Sequence, residues 1–475
     1  MNKTKVVATV GPACRDESML AAMIAEGVDV FRLNLSHDTL EQHGTAVRSI
    51  RAAAARSGAI VAILGDLCGP KIRVGEVVDG RFDIRAGESI LIAPGTFPCT
   101  AERICTSYER LCAEVEPGQR ILIDDGQVRL RAAGRKGDAL ACVCEVGGAI
   151  STRKGVNLPD TRLSLPSLTP KDRKDLAWAV AQELDYIALS FVRSPRDMEE
   201  LRAEIERAGG DLRTVAKIER PEAIEHLDAI IERSDAVMVA RGDLGVEMDV
   251  SRVPLLQKDI TRRCAIAGRP VIVATQMLQS MVEAAVPTRA EVSDVANAIL
   301  DGADAVMLSA ETSVGRHPLE ALRAIRAIAT NTEAFIASSP EDPAPRVSPA
   351  AMQIASAVAH GASLIARELP VKLLSVWTGT GETVRLLSKR RPPQGIIALT
   401  PNERVCRRVA LYYGVQPIAM QSGDAQGRMI SDLDRALLQR ELVRPDDLII
   451  VIAGTHLHEP GATNAVLIHR VGTVD

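Results

Sequence analysis

Apolar residues come in short runs that break off into polar or charged side chains, and between the runs the apolar positions switch to a helical period. The runs lie at 5–10, 30–33, 60–64, 186–189, 214–218, 236–239, 271–274 and 305–308, and read as buried strands. The stretches 17–26, 195–208, 220–231, 254–267 and 289–300 carry apolar residues every three or four positions and are predicted as helices. Strand alternating with helix marks a parallel α/β fold, and eight such units predict a closed (β/α)8 TIM barrel. An open doubly wound sheet is the alternative. That fold gathers ligands at one switch point, whereas here nearly every strand ends in a reactive side chain.

The segment 68–165 interrupts the alternation. It lacks a helical period and carries turn signals at Val78-Asp79-Gly80, Arg85-Ala86-Gly87, Glu116-Pro117-Gly118 and Asp124-Asp125-Gly126, which predict an inserted small β-barrel domain. Its proline-spaced exit, GVNLPDTRLSLPSLTPKD, leads to a helix start at Thr169-Pro170 and suits the hinge of a lid. The barrel therefore comprises 1–67 and 166–340, and the lid 68–165. A proline-rich stretch at 338–350 reads as a linker to a C-terminal α/β domain, 341–475, with a helix at 350–368 and strands near 371–377, 395–399, 415–419, 447–453 and 465–470. Its first strand runs into Trp377-Thr378-Gly379-Thr380-Gly381-Glu382-Thr383, whose N–H groups and hydroxyls suit a phosphate or an ordinary helix cap.

Composition narrows the partners. Net charge is −4 with Lys and Arg scattered, so no basic stripe is present for nucleic acid. No apolar run reaches the roughly 20 residues that span a bilayer, and the N-terminus enters a strand directly, so no membrane partner is expected and the location is cytoplasmic. Nine cysteines, an odd number without a CxxC pair, read as reduced core thiols rather than disulfides or a zinc site.

The strand ends supply Thr9, Gly11 and Pro12; Arg32, Asn34, Ser36 and His37; Asp66; Ser190; Lys217 and Glu219; Arg241, Gly242 and Asp243; Thr275; and Ser309 and Glu311. Alternate residues of a strand share a face, so Lys217 and Glu219 meet at one strand end and the next strand brings Asp243 beside them. Two carboxylates suit Mg²⁺, which completes its octahedron with water and phosphate oxygens. Lys217 would face the same phosphate, and Arg32 could clamp one bidentately. Singly, a charge after a strand is a solvated loop start, His37 is a lone histidine and Thr275 is structural. It is the repetition around the ring that points to phosphate chemistry, without a Walker loop or a protein-kinase signature.

At these residues the chain resembles the pyruvate kinase family along its length, in TKVVATVGPA, VFRLNLSH, GDLCGPKIR, STRKGVNLP, LPSLTPKD, AKIERPEAI, VARGDLGVE, VIVATQMLQSM, TRAEVSDVANAILDGADAVMLSAET and PGATN. The resemblance implies a barrel interrupted by a lid and followed by a regulatory domain, assembled as a homotetramer. It implies Mg²⁺-dependent phosphoryl transfer from phosphoenolpyruvate to ADP, giving ATP and pyruvate, with Mn²⁺ as a substitute ion. Arg32 then matches the phosphate binder, Lys217 the residue stabilising the phosphoryl in flight, and Glu219 and Asp243 the divalent-ion ligands. The backbone N–H groups of Gly242 and Asp243 match substrate-carboxylate contacts, and Thr275 a further substrate contact. Asn34, Ser36, His37, Arg73 and Lys154 match nucleotide contacts, with Asp125 an additional candidate on the lid. Thr275, Ser309 and Glu311 match the relay that protonates the enolate.

Two positions depart from the family pattern. Many members read GPEIR where this chain has Gly69-Pro70-Lys71-Ile72-Arg73, and the glutamate type goes with a K⁺ held by residues matching Asn34, Ser36, Asp66 and the carbonyl of Leu67. The Lys71 ammonium is expected to replace that K⁺. In the effector loop Glu382 stands where arginine is frequent, and Thr455-His456-Leu457-His458 replaces a loop that often carries tryptophan and arginine. Fructose bisphosphate is disfavoured; AMP or a sugar monophosphate at Thr378, Thr380, Gly381 and Thr383 is expected, with Arg385 and Lys389 as contacts. A Mg²⁺-dependent keto-acid lyase or aldolase and a catalytically silent metabolite sensor are the competing readings.

Overall fold

Eight parallel strands close into a ring: β1 (Lys5–Thr9), β2 (Val30–Asn34), β3 (Ala62–Asp66), β4 (Tyr186–Leu189), β5 (Arg213–Ile218), β6 (Ala236–Ala240), β7 (Val271–Ala274) and β8 (Ala305–Leu308). This computed structural model describes residues 2–338, 353–421, 426–454 and 463–473. Each strand pairs with its neighbours in chain order, and β1 closes on β8 with Lys5 opposite Ala305. The two-residue period of a strand divides its side chains between two cores. Val6 and Ala8 pack outward against the helices, while Val7 joins Val30, Leu64 and Met307 inside the ring.

The end of the ring where the strands begin is closed by carboxylates. Asp29, Asp185, Asp235 and Asp304 stand immediately before β2, β4, β6 and β8. They accept the backbone N–H groups of Val6 (2.9 Å), Ile63 (2.9 Å), Thr214 (2.8 Å) and Val271 (2.7 Å) on the adjacent odd-numbered strands. Cations complete them: Lys5 on Asp29 at 3.0 Å, Arg407 on Asp185 at 2.7 Å, Arg213 on Asp235 at 3.1 Å and Lys389 on Asp304 at 2.6 Å. Arg407 and Lys389 come from the C-terminal domain, which docks here. Further contacts join it to the barrel, among them Tyr186 Oη donating to the Arg408 carbonyl at 2.6 Å and Lys5 Nζ to that of Val415 at 2.7 Å.

The C-terminal sheet contains β9 (Leu373–Trp377), β10 (Gly395–Thr400), β11 (Val415–Ala419), β12 (Leu448–Gly454) and β13 (Thr463–Arg470) in the order β11-β10-β9-β12-β13, with β13 antiparallel. The insert after β3 is all-β apart from one short helix, Leu111–Glu114; a six-stranded sheet and a two-stranded ribbon enclose their own core of Ile90, Ile92, Ile104, Ile121, Leu130 and Leu140. Its exit meets a helix, Pro170–Ala181, opened by a capping box between Thr169 and Asp172 with proline in the first turn, as expected.

One expected helix is two. His226 adopts φ −110 and ψ 17, which splits 220–231 into Pro221–Glu225 and Leu227–Arg233. The expected linker, apart from Ser338, and the Thr455 to His458 loop lie outside the described residues.

Candidate active site

At the opposite end of the ring, the sequence pattern delivers its charges to one place. Lys217, next to last in β5, donates from Nζ to Ser190 Oγ at 2.7 Å and lies 2.8 Å from Glu219 Oε1 and 3.3 Å from Asp66 Oδ1. Arg32 of β2 grips Asp66 Oδ2 from the other side, with Nε at 2.7 Å and Nη2 at 2.6 Å, and its Nη1 donates to Thr9 Oγ1 at 3.1 Å. The chain Arg32–Asp66–Lys217–Glu219 alternates in sign and is almost wholly buried. Such an array is stable only because each charge has an opposite neighbour.

Titration follows from that arrangement. Burial opposes charge on Lys217, but Asp66, Glu219 and Asp243 together outweigh it and hold the ammonium firmly protonated. Burial also opposes ionisation of Asp66, and Lys217 and Arg32 more than offset it, so this carboxyl sits below its ordinary value. Glu219 goes the other way: burial, reinforced by the nearby negative charge of Asp243, pushes it up to about 7 despite Lys217.

Glu219 Oε2 accepts the Phe191 N–H at 2.8 Å, whereas Oε1 is buried with the Lys217 ammonium 2.8 Å away. Asp66 Oδ1 is likewise buried, with Lys217 Nζ at 3.3 Å. A buried carboxylate with a spare lone pair, next to a second carboxylate, fits a hard divalent ion. Among the described residues no group of three or more His, Cys, Asp or Glu is placed to hold a metal. Two carboxylates suit an ion that fills its remaining positions with water and substrate oxygens.

Asp243 sits in the short helix Arg241–Glu247 that follows β6 and lines the cleft between barrel and lid with Lys71, Asp125, Asn157, Arg193 and Arg220. Thr275 follows β7 with a φ of +68; its Oγ1 accepts the Gly242 N–H at 2.7 Å and donates to the Ala274 carbonyl at 2.6 Å. Glu311 is fully buried and takes the N–H groups of Leu278 at 3.1 Å and Ser309 at 2.7 Å, so it braces the loops after β7 and β8. Ser309 Oγ is buried without a hydrogen-bond partner.

The expected nucleotide contacts fall into two groups. Asn34 and Ser36 are neighbours on the barrel rim, Asn34 Oδ1 accepting the Ser36 N–H at 3.2 Å, and His37 is exposed there with its carbonyl accepting from His43 Nε2 at 2.9 Å. On the lid, Arg73 Nη1 donates to the Arg153 carbonyl at 2.9 Å, and Lys154 pairs at 2.9 Å with Asp124.

Several expected contacts are engaged elsewhere. The bidentate grip of Arg32 is on Asp66, and the Gly242 N–H is on Thr275. The Leu67 carbonyl accepts Ser190 Oγ at 2.8 Å, and the exposed Lys71 side chain makes no ion pair or hydrogen bond with Asn34, Ser36, Asp66 or Leu67. The positive charge beside Asp66 comes instead from Arg32 and Lys217.

In the C-terminal loop Thr378 Oγ1 accepts the Gly381 N–H at 2.8 Å, Thr380 Oγ1 accepts that of Glu382 at 3.4 Å, and Thr383 and Thr463 hydroxyls meet at 2.7 Å. Arg385 and Lys389 are not free for an effector. Both are buried: Arg385 bonds Glu382 and the Gly268 carbonyl, and Lys389 bonds Asp304, because both face the barrel from helix Glu382–Lys389.

Arg193, Arg220, Asn157 and Glu247 were not among the expected site residues. Arg220 and Glu247 stand inside AKIERPEAI and VARGDLGVE, one position past Glu219 and four past Asp243.

Comparison with known proteins gives consistent matches. The model described as pyruvate kinase, barrel domain matches residues 1–322, and that described as pyruvate kinase, alpha/beta domain matches 356–469. A pyruvate kinase of Mycobacterium tuberculosis (strain ATCC 25618 / H37Rv) is 39% identical over 99% of both chains. One of Agrobacterium vitis is 42% identical over 99% of this chain and 98% of its own. A crystal structure of a pyruvate kinase from Cryptosporidium parvum superposes with a TM-score of 0.90 at 34% identity, covering 99% of this chain and 96% of that one.

Proposed function

The chain belongs to the pyruvate kinase family of phosphotransferases, and we propose how its own residues divide the transfer of a phosphoryl group from phosphoenolpyruvate to ADP. The observation that carries this reading is the buried Lys217, within 2.7–3.3 Å of Ser190, Glu219 and Asp66 at the barrel mouth. A firmly protonated ammonium there faces the phosphoryl and balances charge spread over its oxygens without having to reorganise. Arg32 turns part of its guanidinium from Asp66 to the phosphate. Glu219 and Asp243 hold Mg²⁺ or Mn²⁺, which when bound polarises phosphoryl and enolate oxygens. Gly242, Asp243 and Thr275 orient the substrate carboxylate; Thr275, Ser309 and Glu311 deliver the proton to the enolate carbon.

Asn34, Ser36 and His37 on the rim and Arg73 and Lys154 on the lid hold ADP as the lid, 68–165, closes on the barrel. A K⁺ near Asn34, Ser36, Asp66 and Leu67 is dispensable in this reading, because Asp66 already takes Arg32 and Lys217. AMP or a sugar monophosphate binds at Thr378, Thr380, Gly381 and Thr383. A homotetramer is the proposed assembly, and exposed apolar side chains such as Val250, Leu255, Val286 and Leu300 are available to a subunit contact. No helix among the described residues is long and apolar enough to cross a membrane, and the proposed location is cytoplasmic.

Family membership removes the keto-acid lyase alternative. A lactate dehydrogenase-coupled assay with phosphoenolpyruvate, ADP and Mg²⁺ tests the remaining one: turnover is expected, and its absence in the folded protein would favour the silent sensor.

A further inference from the structure

We propose that Glu247, clamped between Arg220 of the barrel and Asn157 of the lid, is a positioning residue that makes divalent-metal affinity depend on the lid. Glu219 and Arg220 are consecutive at the end of β5, and Asp243 and Glu247 stand four apart, one turn along the same helix face. The two elements are therefore joined twice. The first junction is the proposed metal between Glu219 and Asp243. The second is visible: Arg220 Nη1 donates to Glu247 Oε2 at 2.8 Å, with side chains 4% and 1% exposed.

The second junction fixes the first. The helix Arg241–Glu247 has only seven residues, and its N-terminal cap makes no side-chain hydrogen bond, so its orientation depends on what grips its ends. Arg241 anchors one end on the Thr275 carbonyl at 2.9 Å; Glu247 anchors the other. Loosening Glu247 lets the helix pivot and changes the separation of Asp243 from Glu219. Metal ligands are commonly held by such outer partners, whose loss costs roughly 10–100-fold in affinity.

The lid enters through the other carboxylate oxygen. Asn157 Nδ2 donates to Glu247 Oε1 at 2.8 Å, and Arg220 Nη2 donates to the Thr161 carbonyl in the lid's exit segment at 3.4 Å. Arg193 grips the same segment at the carbonyls of Leu163 and Leu165. Moving the lid off the barrel strips Asn157 from Glu247 and Thr161 from Arg220; Arg220 keeps Glu222 at 3.3 Å, whereas the buried Glu247 Oε1 loses its partner. Metal affinity and lid position are then reciprocally linked: a bound ion favours the lid orientation that keeps Asn157 on Glu247.

This inference rests on Glu219 and Asp243 being the metal ligands, and the two claims separate in one experiment. Mn²⁺ binding to the substrate-free full chain is measured by electron paramagnetic resonance for wild type, Asp243→Asn, Glu247→Gln and Asn157→Ala. Asp243→Asn should abolish tight Mn²⁺ binding, and if it does not, the ligand assignment itself is wrong. With that control in place, Glu247→Gln is expected to weaken Mn²⁺ about 10-fold or more. Asn157→Ala should weaken it several-fold, and the double variant no more than Glu247→Gln alone. Asn157 is half-buried on the lid and its truncation spares the barrel core, so a folding defect does not obscure the result. Wild-type Mn²⁺ affinity in both variants, with only thermal stability reduced, overturns the proposal.

Discussion

Arg241 pins Thr275 by its carbonyl: Nη2 donates at 2.9 Å and Nε at 3.3 Å, and the same guanidinium reaches the Gln276 carbonyl at 3.2 Å. Thr275 and Gln276 have φ values of +68 and +55, a left-handed pair that β-branched threonine rarely adopts. The guanidinium is itself fixed by Asp294 at 2.8 Å and Gln257 at 3.4 Å on the outer helices. The strain at Thr275 is thus maintained from outside the ring, and it aims the hydroxyl proposed to act on substrate. Replacing Arg241 with methionine should lower kcat by about 100-fold, the order expected for a displacement of about 1 Å. Steady-state kinetics on the folded variant checks this, and a kcat close to that of wild type would contradict it.

Gln276 bears the same strain with an exposed side chain. Glycine removes the left-handed penalty while adding chain entropy to the unfolded state, so Gln276→Gly should gain up to about 1 kcal/mol. A thermal melt should show a raised midpoint; a lowered one means that the backbone is not strained there.

The pair Lys389–Asp304 fastens the C-terminal domain, and each side chain is 1% exposed. Lys389→Met leaves a buried carboxylate unpaired and should cost about 3–5 kcal/mol, and pairing it with Asp304→Asn should recover much of that loss. Denaturant titration of the two single variants and the double variant measures the coupling.

That fastening shows where the sequence is legible and where it is not. Asp29, Asp185, Asp235 and Asp304 each precede an apolar run, which reads as a turn residue before a strand. Their partners are N–H groups on strands distant in sequence and cations from another domain, and no local period encodes those. The ring and its polar mouth were legible because strand alternation and strand ends are local properties. Arg32 on Asp66, and Arg385 and Lys389 turned toward the barrel, depend on which opposite charge lies nearest in three dimensions.

Asp235 gives a pH signature. Burial opposes its ionisation, but Arg213, the Thr214 backbone, Arg202 at 3.3 Å and Arg269 outweigh this and hold the carboxyl below its ordinary value. A depressed folded value means a stabilisation fully present above the unfolded value near 3.8 and lost as pH falls through the folded one. Thermal midpoints of wild type and Asp235→Asn should differ most above pH 4 and converge in stronger acid. A gap that widens with acid contradicts the assignment.

With Arg32 and Lys217 both on Asp66, turnover should proceed without K⁺. Assay in tetramethylammonium buffer should give nearly the rate found with KCl. Large stimulation by KCl would show that these side chains do not replace the ion.

The central claim is that Lys217 acts on the phosphoryl group and not on the proton. Lys217→Met should abolish pyruvate formation from phosphoenolpyruvate and ADP, yet still exchange the methyl protons of pyruvate with solvent, a reaction that needs the enolate relay alone. Phosphoryl transfer surviving in this variant, with its fold intact, would contradict the account.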